Sequence, residues 1–329
     1  MTVQEIFELR KSGRIEEAYT SILPLYKFHH GHYTTLCMFW TAADIAIVRI
    51  ESGNLSEAIK IMKSLRNIYP QIDDKDKSAK RKLLNIALKL FDKQKNTFKD
   101  NKESVLKFSL FEFIEWWDMK NLTVEDWRAQ KIDNHYIQPF ALKIISRLFS
   151  ELTLTPQNNN TDNIKKLLLY IDEGLKFNPS QKNLLRYKAQ VLIKLNDKEA
   201  ASSIYKSLIS KSREPYVFSE YADLVEDPAE QIALLVKSLL MQSQEQFRQK
   251  TRLKLAFLMA DVRPQYAKYE LEQCVRFRQS MGYKNNRDIM NLVAKLSKVQ
   301  AATKQEQANF YSQVLDYYIT HIENKEKLP

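Results

Sequence analysis

Apolar residues along this chain recur at three- and four-residue spacing. Leu185, Ala189 and Leu192 mark one stripe, and Ala201, Ile204, Tyr205 and Leu208 mark the next. That period predicts amphipathic helices, while alternation at period two and Asn-Gly or Asp-Gly hairpin signals are absent. Helix starts agree with it. Asp227 precedes Pro228 with Glu230 three residues after the Asp, Thr303 with Glu306 forms a capping box, and Pro264 suits a first turn.

The stripes repeat. Ala189, Ala222 and Ala256 lie 33 and 34 residues apart, and Ala201, Ala233 and Ala267 lie 32 and 34 apart. Leu192, Val225 and Met259 keep the first offset, and Leu208, Leu240 and Cys274 keep the second. One unit earlier, the register falls on Leu167, Ile171 and Gly174. Each unit reads as two short antiparallel helices. A helix pair cannot bury its apolar face alone, so such units stack.

These residues resemble the tetratricopeptide repeat family, whose helix pairs run near 34 residues. Gly53, Leu55, Glu57, Ala58, Met62, Leu65 and Pro70 match the second-helix half, as do Gly13, Ile15, Glu17, Ala18, Ile22 and Leu25. In the units from Lys182 onward Ala189, Ala201, Tyr205 and Leu208 stand in the places the family expects, whereas residues 100–160 fit badly. The resemblance covers about two thirds of the chain. It implies an all-α, right-handed α-solenoid of antiparallel helix pairs and, as the family's commonest use, protein scaffolding. The organisation expected is an N-terminal helical array over 1–99, a Trp-rich junction over 100–136, a C-terminal array over 137–300, and a capping helix with its tail over 301–329. Ala18 and Ala58 are 40 residues apart, so the helix around Thr34 to Ile50 is long, or a loop at His29 to His32 precedes it.

The junction holds Trp116, Trp117 and Trp127. Large aromatic residues at helical spacing are read as a wedge between the arrays, with a binding site flanked by Glu112, Glu115, Asp118, Glu125 and Asp126 as the alternative. The polar run Thr155 to Thr161 is the expected mobile loop. In the last helix, Ala308, Tyr311, Leu315, Tyr318 and Ile322 make the stripe expected to dock.

Composition narrows the chemistry. Five glycines in 329 residues never come closer than eighteen apart, which leaves no Gly-rich phosphate cradle, nucleophile elbow or dinucleotide fingerprint. His29, His30 and His32 beside Cys37 form the one cluster of metal-type ligands, with no second cluster to complete a zinc site. Neighbouring carboxylates such as Glu16 and Glu17, or Asp73 and Asp74, point apart on a helix. No enzyme, metal or cofactor is therefore expected. The acidic start at Glu5 and Glu8 does not suit a signal peptide, and Lys237 interrupts the apolar run Ile232 to Met241. With two isolated cysteines, these features predict a cytoplasmic protein without a membrane span.

The net charge of +11 is concentrated. Lys75 to Lys107 carries eleven basic against four acidic residues, and Phe247 to Arg287 carries ten against three. Lys82, Lys89 and Lys93, with Arg276 and Arg278, are the candidate basic patch. It would hold a nucleic-acid backbone or steer an acidic protein, or be a solvated face. The Lys, Asn and Arg pattern with which some relatives of the resembled family clamp a terminal carboxylate is missing, because Glu220 and Asp223 follow Arg186. The function expected is a non-catalytic scaffold that binds a protein or peptide, with Tyr187, Lys188, Gln190, Tyr221 and Arg252 lining its groove. A nucleic-acid-binding accessory protein is the alternative.

Overall fold

The computed structural model describes residues 1–75, 77–100, 107–132, 135–154 and 160–323. Among them are sixteen α-helices, so the fold is all-α. The expected mobile loop has its residues 155–159 outside the described residues, as has the end of the tail from 324. One short ribbon interrupts the helices: β1, Gln130–Ile132, pairs antiparallel with β2, His135–Ile137, Lys131 lying opposite Tyr136. Sequence reading found no strand because three residues are too few to display an alternation.

The chain divides into two compact units, Met1–Pro179 and Ser180–Pro329. The first contains α1 (Val3–Lys11), α2 (Ile15–Phe28), α3 (His32–Glu51), α4 (Leu55–Ile68), α5 (Ser78–Asp100), α6 (Leu110–Trp117), α7 (Phe140–Leu154) and α8 (Thr161–Phe177). The tight turns between α1 and α2 and between α3 and α4 are set by Gly13 at φ +85° and Gly53 at φ +83°. Glycine takes that left-handed backbone without a Cβ clash. Each helix from α1 to α5 packs on the next, and α1 and α5 also reach α3.

Enclosure explains the composition of α3. Its eleven buried residues include Cys37, Phe39, Ala42, Ala43, Ile45 and Ala46, and it is long and apolar enough to cross a membrane by length and composition. A helix covered by neighbours on most sides has the same composition. The junction's aromatic residues pack inside this unit. Trp117, 2% exposed, donates its indole N–H to the Lys80 carbonyl at 2.9 Å, while Trp127 stacks on Phe177. They tie α5 on one side and α8 on the other.

The second unit contains α9 (Lys182–Lys194), α10 (Lys198–Ile209), α11 (Pro215–Tyr221), α12 (Pro228–Met241), α13 (Glu245–Met259), α14 (Pro264–Ser280), α15 (Arg287–Lys295) and α16 (Lys304–Tyr318). Asn196 at φ +65° stands two residues before α10, as Gly13 and Gly53 stand before α2 and α4. Asparagine tolerates the same left-handed turn. The repeated alanines are buried: Ala189, Ala201, Ala233, Ala256 and Ala267 have no exposure, and Ala222 has 3%. Leu240 departs from the pattern at 43% exposed, its neighbour Leu239 taking the buried place.

The last helix turns most of its predicted stripe inward, Tyr318 and Ile322 being buried and Tyr311 and Leu315 half-buried, and departs from it at its first turn. Gln307, Phe310 and Tyr318 are buried, whereas Ala308 is exposed. A polar partner draws Gln307 in. Its side-chain amide donates to Glu270 at 2.7 Å, beneath the surface of the unit.

Candidate interaction site on the C-terminal unit

The expected groove residues do not share one exposed face. Tyr221 is 2% exposed and stacks on Tyr205, and Arg252 is 8% exposed. Tyr187, Lys188 and Gln190 are half-buried. The reason is local: α11 is only seven residues long, and its tyrosine closes over the preceding pair instead of projecting from it. Arg252 is drawn inward by Glu270 at 2.5 Å and Glu245 at 2.8 Å.

Charges on the first helix of each pair are matched by their neighbours. Arg186 grips Glu220, 34 residues away, at 2.8 and 2.5 Å, and Glu220 also accepts from the Tyr205 hydroxyl at 3.0 Å. Lys254 reaches Asp223 at 2.7 Å and the Ser219 carbonyl at 2.9 Å. The N-terminal unit repeats the device, with Asp44 held between Arg10, again 34 residues away, at 2.7 Å and Lys82 at 2.8 Å. A carboxylate supplied from within thus occupies the place where a basic clamp would take one from a partner. Replacing Asp44 with Asn leaves two half-buried cations facing each other and is expected to cost about 1–2 kcal/mol. Urea unfolding reads this, with Lys89→Met as an inert comparison, and an unchanged midpoint for D44N would show that the ladder adds nothing.

One recess of this unit open to solvent is a trough of about 630 Å³ whose wall includes Ala222, Leu235, Lys250, Leu253, Lys254, Phe257 and Leu258. Along α13, Phe247, Lys250, Lys254 and Phe257 follow one another at three- and four-residue steps and so share a face. Phe247 is 60% exposed and Phe257 46%. Two phenylalanines thus stand on an outward face with the exposed Lys250 between them, while Lys254 is paired with Asp223. The helical spacing of these four residues was the signal available in the sequence.

The basic patch is partly consumed by the fold. Lys82 binds Asp44, and Lys89 faces Glu51 at 3.4 Å. Arg278 donates to the Asn285 side chain at 3.0 Å and to the Lys284 carbonyl, closing its own loop. Lys93 and Arg276 are exposed. The five residues therefore do not act as a single surface of free charge.

Deeper in the unit lies an ionic network. Glu270 has no exposure, and besides Arg252 it accepts from the Gln307 amide and the Tyr311 hydroxyl. Burial pushes its carboxyl above the ordinary value, against the charge of Arg252 and those hydrogen bonds. Both cysteines are buried, and burial pushes their thiols up. A raised, enclosed thiol is a poor nucleophile. Among the described residues no group of three His, Cys, Asp or Glu side chains is placed to hold a metal ion.

The described residues thus form an all-α protein of sixteen helices. A family model described as a domain of unknown function, DUF7017, matches residues 184–316, a stretch that begins within α9 and ends within α16. It takes in the trough and all of the network from Glu245 to Tyr311. No curated protein matches the chain.

Proposed function

We propose that this protein is a non-catalytic adaptor that binds a segment of a partner protein in the trough over α13. The observation that carries the reading is the exposed strip Phe247, Lys250, Phe257 beside an apolar recess. Exposed aromatic side chains next to an apolar recess mark a surface suited to a partner. The partner segment is apolar along one edge, to meet Leu253 and Phe257, and acidic along the other, to meet Lys250.

The reading takes each unit's helices as a right-handed solenoid of antiparallel pairs, similar to the tetratricopeptide repeat family. Support comes from the order of packing, each of α1 to α4 and of α9 to α13 meeting its successor. The left-handed residue two positions before α2, α4 and α10 adds to it. Work in the cytoplasm accords with two buried cysteines left as free thiols. The internal neutralisation of Lys82 and Lys89 favours a protein over a nucleic acid as partner.

The test is affinity purification of the tagged chain from its native cell extract, with and without nuclease, comparing wild type with Phe257→Ala and Lys250→Glu. Both substitutions are on the surface and leave the fold intact. One protein is expected at comparable amount irrespective of nuclease, its recovery falling at least tenfold in both variants. Recovery unchanged by the substitutions removes the trough as the site, and recovery lost to nuclease makes nucleic acid the ligand.

A further inference from the structure

The N-terminal unit contains a second recess, and its chemistry is different. The start of α5 and the turns that follow α6 enclose a cavity of about 280 Å³ walled by Lys77, Lys80, Arg81, Trp117, Thr123 and Asp126. Its floor is internally neutral. Arg81 sets its guanidinium on both oxygens of Asp126 at 2.6 and 3.0 Å, and Asp126 also accepts from the Thr123 amide at 2.9 Å.

The two lysines are not matched in this way. Among the described residues, neither Lys77 nor Lys80 has an ion-pair partner. The nearby Asp74 carboxylate is engaged by the amides of Ala79 and Lys80 at 3.0 and 2.8 Å and by the Tyr69 hydroxyl at 3.2 Å. Asp118 accepts from the Lys120 amide at 3.0 Å. The Lys80 ammonium stands 5.9 Å from the Trp117 ring and 6.0 Å from the Tyr69 ring. Burial pushes it below its ordinary range, with the charge of Lys77 adding to the effect and Asp118 and Asp74 opposing it. The Lys80 ammonium, near two aromatic rings, and the exposed Lys77 lining the same recess gain most from a ligand that brings negative charge into it.

Backbone geometry singles out the same place. Lys77 is at φ +58°, a left-handed conformation that glycine takes freely and lysine only under strain. Its carbonyl accepts the Arg81 amide at 3.0 Å, which fixes the residue at the entry to α5.

We infer that this recess binds a phosphate dianion through Lys77 and Lys80, with Arg81 held ready beside them by Asp126. A phosphate carries the two charges that the lysines lack, whereas a carboxylate leaves one ammonium unmatched. The source of the dianion is either inorganic phosphate or the phosphorylated side chain of a partner. The site is in a different unit from the trough over α13 and does not depend on that reading.

The experiment is calorimetric titration of the full chain at constant ionic strength with inorganic phosphate, with O-phosphoserine, and with acetate as a monoanion control. Saturable one-to-one phosphate binding is expected, at least tenfold weaker in Lys77→Gly and Lys80→Met and unchanged in Lys93→Met. Lys77→Gly also relieves the left-handed strain, so its melting temperature without phosphate stays equal or rises, which separates loss of binding from loss of fold. Tighter binding of phosphoserine assigns the site to a phosphorylated side chain, and the reverse order assigns it to the free ion. Absence of saturation, equal binding of acetate, or an equal loss in Lys93→Met overturns the proposal.

Discussion

Arg252→Met is expected to destabilise the C-terminal unit by about 3–5 kcal/mol at pH 8, because it strands a carboxylate that has no route to water. Arg252 bridges Glu245 on its own helix and Glu270 on α14. The two acids differ in what they lose. The Glu245 side chain is 38% exposed and can be rehydrated, while Glu270 has no exposure. With the guanidinium gone, only the Gln307 amide and the Tyr311 hydroxyl face the buried charge.

Two further measurements separate this from ordinary loss of packing. Glu270 already has a carboxyl pushed above its ordinary value by burial, so removing the opposing arginine pushes it higher. The folded variant then holds its proton where the unfolded chain has released it, and its stability falls as pH rises from the ordinary glutamate range. The defect is therefore smaller at pH 5 than at pH 8. The double variant Arg252→Met, Glu270→Leu removes both charges and is expected to recover most of the loss. Hydrogen exchange in α13, α14 and α16 reports the unit by itself. A single variant within about 1 kcal/mol of wild type at pH 8, or a double variant weaker than the single, would show that the pair does not hold these helices together.

The sequence was informative wherever burial follows from apolar spacing alone. The alanines of the repeat are all at 3% exposure or less, since small residues at helical steps have one low-energy place to go. It was misleading where polar groups find each other across the chain. Tyr221 and Arg252 looked like groove residues by position, yet stacking on Tyr205 and pairing with Glu270 draw them inside. Gln307 displaces Ala308 from the docking face of α16 for the same reason. Such pairs join residues 16 to 45 positions apart, and no local pattern announces them. The basic stretches show the converse. Lys82 and Lys89 on α5 counted as free charge until α3 brought Asp44 and Glu51 against them.

The N-terminal unit is expected to lose stability as pH rises from about 4.5 to about 7, and Glu151 is the residue responsible. Its carboxylate, with no exposure, closes the start of α6: it accepts from the Ser109 hydroxyl at 2.9 Å and from the amides of Leu110 and Phe111 at 2.9 and 3.2 Å. Burial pushes its carboxyl from 4.5 up to about 7, the hydrogen bonds from Ser109, Phe111 and Leu110 opposing the rise. Between those values the folded chain binds more protons than the unfolded chain, so stability declines with rising pH, in total by on the order of 3 kcal/mol. Carboxylates held below their ordinary values, such as Glu16 beside Arg49 and Asp126 beside Arg81, act in the opposite sense and at lower pH. Fluorescence isolates the effect, because Trp40, Trp116, Trp117 and Trp127, the four tryptophans of the chain, all belong to this unit. Urea unfolding followed by that signal, in buffers free of phosphate, is expected to give a lower midpoint at pH 8 than at pH 5. Glu151→Gln keeps an oxygen for the two amides and removes the charge, so it flattens the dependence and is the more stable protein at pH 8. Glu151→Ala leaves the amides without that acceptor and is weaker than Glu151→Gln by about 3 kcal/mol at either pH. Comparison with Glu151→Gln cancels the contribution of every other group, since the two proteins share them. An equal slope in wild type and Glu151→Gln would mean that the helix start of α6 is closed by a carboxylate that stays ionised throughout, its hydrogen bonds outweighing its burial.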